Sequence, residues 1–223
     1  MPVIALFSLS LLWGSTFYFT KVLLPDFHPV SIVFYRCLFG AIALLPFFLW
    51  KRKKNDLKNV LALLAITLMN AGIPWILMSF SLENLDTTLG SVLNATGPIF
   101  GLLLSCAVLK VTVSNQEIIS VLVGFIGIAL AFIMGSSISN DFQFSSAVLL
   151  LFAVNIYAFS AVLTAKFLHD CSVFTLSFMT MVMGSSFSGI FMIGVEPASY
   201  QTLFNTKSIF FVHYVRYVQF RVR

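Results

Sequence analysis

Residues 13–54 read WGSTFYFTKVLLPDFHPVSIVFYRCLFGAIALLPFFLWKRKK and contain the pattern that decides the fold. Two long apolar runs, 3–23 and 29–50, flank a short turn that is rich in proline. A helix needs about 20 apolar residues to cross the hydrocarbon core of a bilayer. The stretch therefore predicts a hairpin of two membrane-spanning helices that ends in a cluster of basic residues.

The whole chain has the composition of an integral membrane protein. Hydrophobic residues make up 59% of it and charged residues 9%, and the mean hydropathy is +0.99. Soluble domains carry about 25% charged residues, so this chain lacks the polar surface that water requires. A transmembrane β-barrel is excluded because the apolar runs are not alternating segments of about ten residues. The predicted fold class is an all-α bundle of about seven to eight transmembrane helices.

The spans are read from the lengths of the apolar runs. The seven clear spans are 3–23, 29–50, 59–80, 89–109, 117–135, 145–168 and 173–195. Residues 204–220 form an eighth segment that is short and carries basic residues. The connections are short, so neighbouring helices are expected to run antiparallel.

Basic residues indicate the orientation in the membrane. Five of them follow the second span: Lys51, Arg52, Lys53, Lys54 and Lys58. Cytoplasmic loops are enriched in lysine and arginine, so this loop is predicted to be cytoplasmic, and the N-terminus with it. Nucleic-acid binding is the alternative for a basic cluster, but a short loop between two membrane helices does not favour it. We expect a multi-pass protein of the plasma membrane (the inner membrane in a bacterium) with the lipid bilayer and no nucleic acid as its surroundings.

The spacing of matching residues suggests an internal repeat. Gly40 and Gly184 lie 144 positions apart, and Lys21 and Lys166 lie 145 apart. Chance matches in apolar sequence are the alternative. If the repeat is real, its unit of five spans leaves the chain on the opposite side of the membrane, so the second unit is inverted. Inverted repeats with a site at their interface are typical of secondary transporters.

The same residues resemble a known family. The run at 13–48 is similar to the opening of EamA-type transporters of the drug/metabolite transporter superfamily, with its Trp-Gly-Ser start and an arginine in the second helix. ATGPIFGLLLSCAVL at 95–109 and VLVGFIGIALAF at 121–132 resemble the fourth and fifth helices of that family. The resemblance implies ten helices in two inverted halves around a central cavity, and transport of amino acids, metabolites or related solutes.

Two features depart from the family pattern. Members often carry a glutamate right after the fourth helix, where this chain has only Glu117, further along. Ten helices of about 20 residues with their loops also need more than the 223 residues present, so a C-terminally truncated carrier is expected. The predicted division is a first repeat at 1–140, the start of a second, inverted repeat at 141–197, and an atypical basic and aromatic tail at 198–223.

Arg36 is the strongest candidate for a functional residue. It lies about 10 Å from the end of its predicted span, at 1.5 Å per residue. A charge inside a bilayer costs about 2.5–3.5 kcal/mol on insertion scales, so it usually faces a cavity or a partner. No aspartate or glutamate lies within a predicted span to pair with it, which favours the carboxylate of a substrate as the partner. The alternative is a long side chain that extends to the interface.

Other polar and aromatic residues recur within the spans and are candidates for lining a cavity. They are Trp13, Ser15, Tyr18, Asn70, Trp75, Asn94, Thr96, Asn155 and Tyr157. Ordinary helix packing is the alternative for each of them. Gly72 with Pro74, and Gly97 with Pro98, are predicted to interrupt the third and fourth helices. Broken helices are tolerated in a membrane where they line a cavity or are buried in protein.

The predicted function is secondary transport, by alternating access, of a small metabolite such as an amino acid or another carboxylate-bearing solute. The sequence has no phosphate-binding glycine loop, no metal-ligand spacing and no paired catalytic groups, so no enzyme activity, metal or cofactor is expected. A truncated membrane remnant without transport activity is the alternative. Whether two copies form a homodimer that completes the cavity is left open.

Overall fold

The computed structural model describes residues 2–53, 56, 58–135 and 141–195, and helices make up nearly all of this part of the chain. No strand occurs within these ranges. The helices are α1 (Pro2–Leu23), α2 (Pro29–Lys51), α3 (Val60–Thr67), α4 (Ile73–Asn84), α5 (Thr87–Asn94), α6 (Gly97–Leu109), α7 (Asn115–Gly135), α8 (Asp141–Phe167) and α9 (Val173–Val195). The predicted eighth segment at 204–220, the tail and Lys54 lie outside the described residues.

The all-α membrane fold predicted from the sequence is confirmed. Each of the seven clear spans is helical, because α1, α2, α7, α8 and α9 match single spans while α3–α4 and α5–α6 form the other two. Five segments of the described chain are long and apolar enough to cross a bilayer: Pro29–Lys51, Val60–Asn84, Thr87–Leu109, Gln143–Phe167 and Val173–Gly194.

The α-helical hydrogen-bond pattern of the third and fourth spans is interrupted at the predicted positions. A π-helical turn at Leu68–Gly72 separates α3 from α4, and a tight turn separates α5 from α6. A proline has no N–H, so Pro74 and Pro98 cannot bond the carbonyl four residues earlier, as a regular α-helix requires. Those carbonyls belong to Asn70 and Asn94. Both breaks thus share the pattern Asn-x-x-x-Pro.

Among the described helices, α2 and α9 share the most extensive contact. They run antiparallel, because Cys37 meets Gly184 while Gly40 meets Met181. A Cβ added at Gly40 would lie 2.8 Å from the Sδ of Met181, and one added at Gly184 would lie 2.6 Å from the Sγ of Cys37. Positions 37 and 181 are 144 apart, the same spacing as the two glycines. The glycine contacts are therefore reciprocal between the two helices.

Lys21 connects α1 to the end of α4. Its Nζ donates hydrogen bonds to the carbonyl oxygens of Leu82, Glu83 and Leu85 at 2.6, 3.1 and 2.8 Å. A cation at a helix C-terminus satisfies carbonyls that have no partner within the helix and interacts favourably with the helix dipole. Lys166 makes a weaker contact of the same kind, at 3.4 Å from the carbonyl of Val108 near the end of α6.

We predict that Lys21→Met lowers the free energy of unfolding by about 1–2 kcal/mol, the upper range for a partly buried cation at a helix C-terminus. Lys166→Met is the matched control, because that side chain is exposed and makes one long contact. Thermal unfolding of the purified protein in detergent would show a lower midpoint for the first variant only. Equal midpoints for both variants would contradict this role of Lys21.

We also predict that Gly184→Ala destabilises the bundle, by about 1–3 kcal/mol, because the new methyl group overpacks the contact with Cys37. Gly194→Ala is the control, since nothing lies within 4 Å of a Cβ there. In the same thermal assay Gly194→Ala should match or exceed the wild-type midpoint. A Gly184→Ala protein as stable as the control would show that α2 and α9 are not held at this distance.

Candidate solute cavity

The bundle forms a partly open cavity of about 650 Å³. Residues from α1, α2, the broken third span, α5, α8 and α9 line it. The polar lining residues are Thr16, Thr20, Arg36, Thr67, Asn70, Ser79, Asn94, Tyr157, Thr164, Ser177 and Thr180. The other lining residues are Trp13, Phe17, Gly40, Trp75, Met78, Leu82, Leu176 and Met181. A volume of this size lies within the range of small-molecule sites.

The structure brings six of the ten candidate residues together at this cavity. They are Arg36, Trp13, Asn70, Trp75, Asn94 and Tyr157. The other four, Ser15, Tyr18, Thr96 and Asn155, are not among its lining residues.

Each of those four positions has a physical reason for lying off the cavity. Ser15 and Tyr18 are three residues apart and therefore share one side of α1, where Tyr18 is half-exposed. The opposite choice of face, with Trp13 and Phe17, is the one that lines the cavity. Thr96 is buried in its own helix break, where its hydroxyl donates to the carbonyl of Leu93 at 2.7 Å.

Asn155 lies on a different side of α8 from the one that faces the cavity. It precedes Tyr157 by two residues, which is about 200° around a helix of 3.6 residues per turn. Tyr157 lines the cavity, so Asn155 points elsewhere. The four candidates therefore lie outside the lining of this cavity.

Arg36 has an incomplete set of partners inside the bundle. Its guanidinium carbon lies 4.0 Å from the centroid of the Trp75 ring, a cation–π distance. Its buried Nε has no hydrogen-bond partner among the described residues. Among the lining residues that the structure describes, Arg36 alone carries a charge. A buried donor without a partner is costly, so this N–H lacks an acceptor that the described residues could have supplied.

A second aromatic contact joins α1 to α8 in the wall of the cavity. The rings of Trp13 and Tyr157 meet edge to face, with centroids 6.1 Å apart and an interplanar angle of 73°. Edge-to-face pairs are favourable arrangements of aromatic side chains. The cavity therefore has one flat cationic wall, at Arg36 and Trp75, and one aromatic wall.

Sequence reasoning missed the hydroxyl side chains of the lining. Thr16 and Thr20 are four positions apart on α1, and Ser177 and Thr180 are three apart on α9. Residues at these spacings share a helix face, so periodic hydroxyls were the available signal. The signal is weak because membrane helices accommodate hydroxyls anywhere by bonding them to their own backbone, as Thr20 does to the carbonyl of Thr16 at 2.8 Å.

Comparison with known protein families shows which family the chain belongs to. The model of the EamA-like transporter family matches residues 1–133, more than half of the chain. The chain belongs to this family. Comparison with curated proteins and with solved structures gives no match. The match covers the first five spans, from α1 almost to the end of α7.

Membership makes this chain a multi-pass membrane protein of a transporter family, which is not a family of enzymes. Within the described residues no group of three or more histidine, cysteine, aspartate or glutamate side chains is placed to hold a metal. The expectation of no metal and no cofactor stays a prediction.

Glu117, the candidate stand-in for the glutamate of other members, has a local role at the start of α7. Its carboxylate accepts hydrogen bonds from the Ser114 N–H at 2.7 Å and the Ser114 hydroxyl at 2.8 Å. The Glu117 N–H donates back to the Ser114 hydroxyl at 3.2 Å, which completes a capping box. Glu117 is exposed and is not among the residues that line the cavity.

We predict that a small polar thiol reagent labels Ser79→Cys much faster than Ser81→Cys. Both serines are buried in α4, at 4% and 0% exposure, but only Ser79 lines the cavity. Labelling in intact membranes, corrected for the native cysteines, measures the two rates. Equal rates would mean that water and small solutes do not enter the cavity.

Proposed function

We propose that this chain carries a small carboxylate-bearing solute across the membrane through the cavity. The observation that carries the proposal is the position of Arg36, the one charged residue in the described lining, which no acidic lining residue accompanies. A guanidinium presents donors in a fork that matches a carboxylate, and such charge-assisted pairs are among the strongest hydrogen bonds. Trp75 holds the guanidinium plane in place from one face.

An amino acid remains within the proposed class of solutes. The described lining offers no carboxylate to an ammonium group. The faces of Trp13 and Tyr157 supply the alternative, since aromatic rings attract cations. Arg36 is then expected to matter for every solute of the class, whereas the aromatic wall matters only for those with an ammonium group.

Alternating access is the mechanism that we infer. The reciprocal glycine contacts of α2 and α9 support an inverted relation between the first five spans and the helices that follow. In inverted-repeat carriers the binding site lies at the interface of the two units, which rock around it. The lining drawn from α1 and α2 on one side and α8 and α9 on the other fits such an interface. The plasma (bacterial inner) membrane and a cytoplasmic N-terminus are part of this proposal.

We predict that Arg36→Ala lowers the flux of the transported carboxylate at least about tenfold, the effect of losing a hydrogen bond to a charged group. The assay uses the purified chain in proteoliposomes and three labelled solutes of one skeleton: leucine, its 2-hydroxy acid and the corresponding amine. Arg52→Ala is the control, because Arg52 is an exposed arginine that is not among the lining residues.

The variant Arg36→Lys tests whether transport needs only the charge of Arg36 or also its planar shape. It keeps the cation but loses the planar fork and the stack on Trp75, so an intermediate flux is expected. Transport of the amine alone would contradict the proposal. Flux of no member of a wide panel of carboxylates, with the protein correctly inserted, would favour a membrane protein without transport activity.

A further inference from the structure

The acidic residue in the basic loop between α2 and α3 is buried. Asp56 is 5% exposed, although Lys51, Arg52 and Lys53 beside it are exposed. A carboxylate is seldom buried at a loop surface unless its oxygens have partners. The partners of Asp56 come mainly from the distant start of α9.

The carboxylate of Asp56 accepts hydrogen bonds at the N-terminus of α9. One oxygen accepts from the Ser172 N–H at 3.0 Å, and the other accepts from the Thr175 hydroxyl at 2.6 Å and from the Lys53 N–H at 2.8 Å. The Cys171 thiol also lies 3.9 Å from the carbonyl oxygen of Asp56. The carboxylate thus lies at the N-terminus of α9, where the helix dipole favours a negative charge, although it comes from 116 residues earlier in the chain.

These contacts keep the carboxylate charged. Burial raises the pKa of Asp56, but the hydrogen bonds from Thr175, Lys53 and Ser172 and the charge of Lys53 outweigh it and hold the pKa below its ordinary value of 3.8. The cross-link between the loop and α9 is therefore a charge-assisted one at neutral pH.

The cross-link lies directly beside one end of the cavity. Thr175 is followed by Leu176 and Ser177, which both line the cavity. Leu176 also packs against a buried cluster of Leu63, Ile66 and Leu168. This cluster joins α3 to the end of α8, and with Leu176 it forms an apolar layer next to the cavity.

We propose that Asp56 is the latch of a gate, formed with this apolar layer, that closes the cavity toward the face where α2 ends and α9 begins. Opening that face requires the start of α9 to move away from α3, and the move breaks the contacts of Asp56 with Ser172 and Thr175. An apolar layer alone sets no single closed position, whereas a buried carboxylate with three donors does. This inference rests on the proposed alternating access and not on which solute is carried.

The test measures access to the cavity from each face. Ser177→Cys is introduced with Cys106→Ser and Cys171→Ser, and a membrane-impermeant thiol reagent is applied to sealed vesicles of either orientation. Asp56→Asn should raise the labelling rate from the face of the basic loop about tenfold, the shift expected when a charge-assisted hydrogen bond is weakened. Asp170→Asn is the matched control, since that carboxylate is at the same face and its side chain is 90% exposed.

Ser81→Cys distinguishes gating from general loosening. Ser81 is completely buried and is not among the lining residues, so its labelling rises only if the bundle as a whole opens. Should Asp56→Asn fail to insert, Thr175→Val removes one donor with little change of shape and should give a smaller rise at Ser177→Cys.

Unchanged labelling at Ser177→Cys in the inserted variants, or an equal rise at Ser81→Cys, would overturn the latch. Flux that still depends on Arg36 would in that case leave the proposed transport standing. Raised labelling at Ser177→Cys with no flux of any carboxylate would retain the latch and contradict transport.

Discussion

Within a bilayer, a helix can be interrupted only where protein or a water-filled space provides hydrogen-bond partners for the freed backbone groups. The rest of this structure depends on that constraint. Both breaks in the described chain, at Leu68–Gly72 and between Asn94 and Gly97, lie at the cavity. Each places an asparagine four residues before a proline, with its side chain in the lining and its carbonyl without the usual helical donor. The cavity is thus built where the two helices could not continue.

Charges inside this chain follow one rule with one exception. Lys21 meets carbonyls at the end of α4 and Asp56 meets donors at the start of α9, so each charge lies at the helix terminus of opposite sign. Arg36 lies near no helix terminus that it caps, and its cation rests on the ring of Trp75. Arg36 is the exception because no acidic residue lines the cavity beside it within the described part of the chain.

The sequence predicted the spans and the breaks because hydropathy, glycine and proline act locally. It did not predict how each helix is rotated about its axis. The residues of α1 are apolar on every side, so nothing in the pattern preferred the face of Trp13 and Phe17 over that of Ser15 and Tyr18. It also gave no sign of the role of Asp56, because its partners Ser172 and Thr175 are more than a hundred residues away. Contacts of that kind are properties of the folded chain.

The reciprocal glycines of α2 and α9 also limit how related sequences can vary. Met181 fits because position 40 has no side chain, and Cys37 fits because position 184 has none. We therefore expect a larger residue at position 40 to be accompanied by a smaller one at 181, and the same exchange to join 184 to 37. The four positions form two independent pairs of correlated substitutions, with no such correlation expected at Gly194, which faces open space.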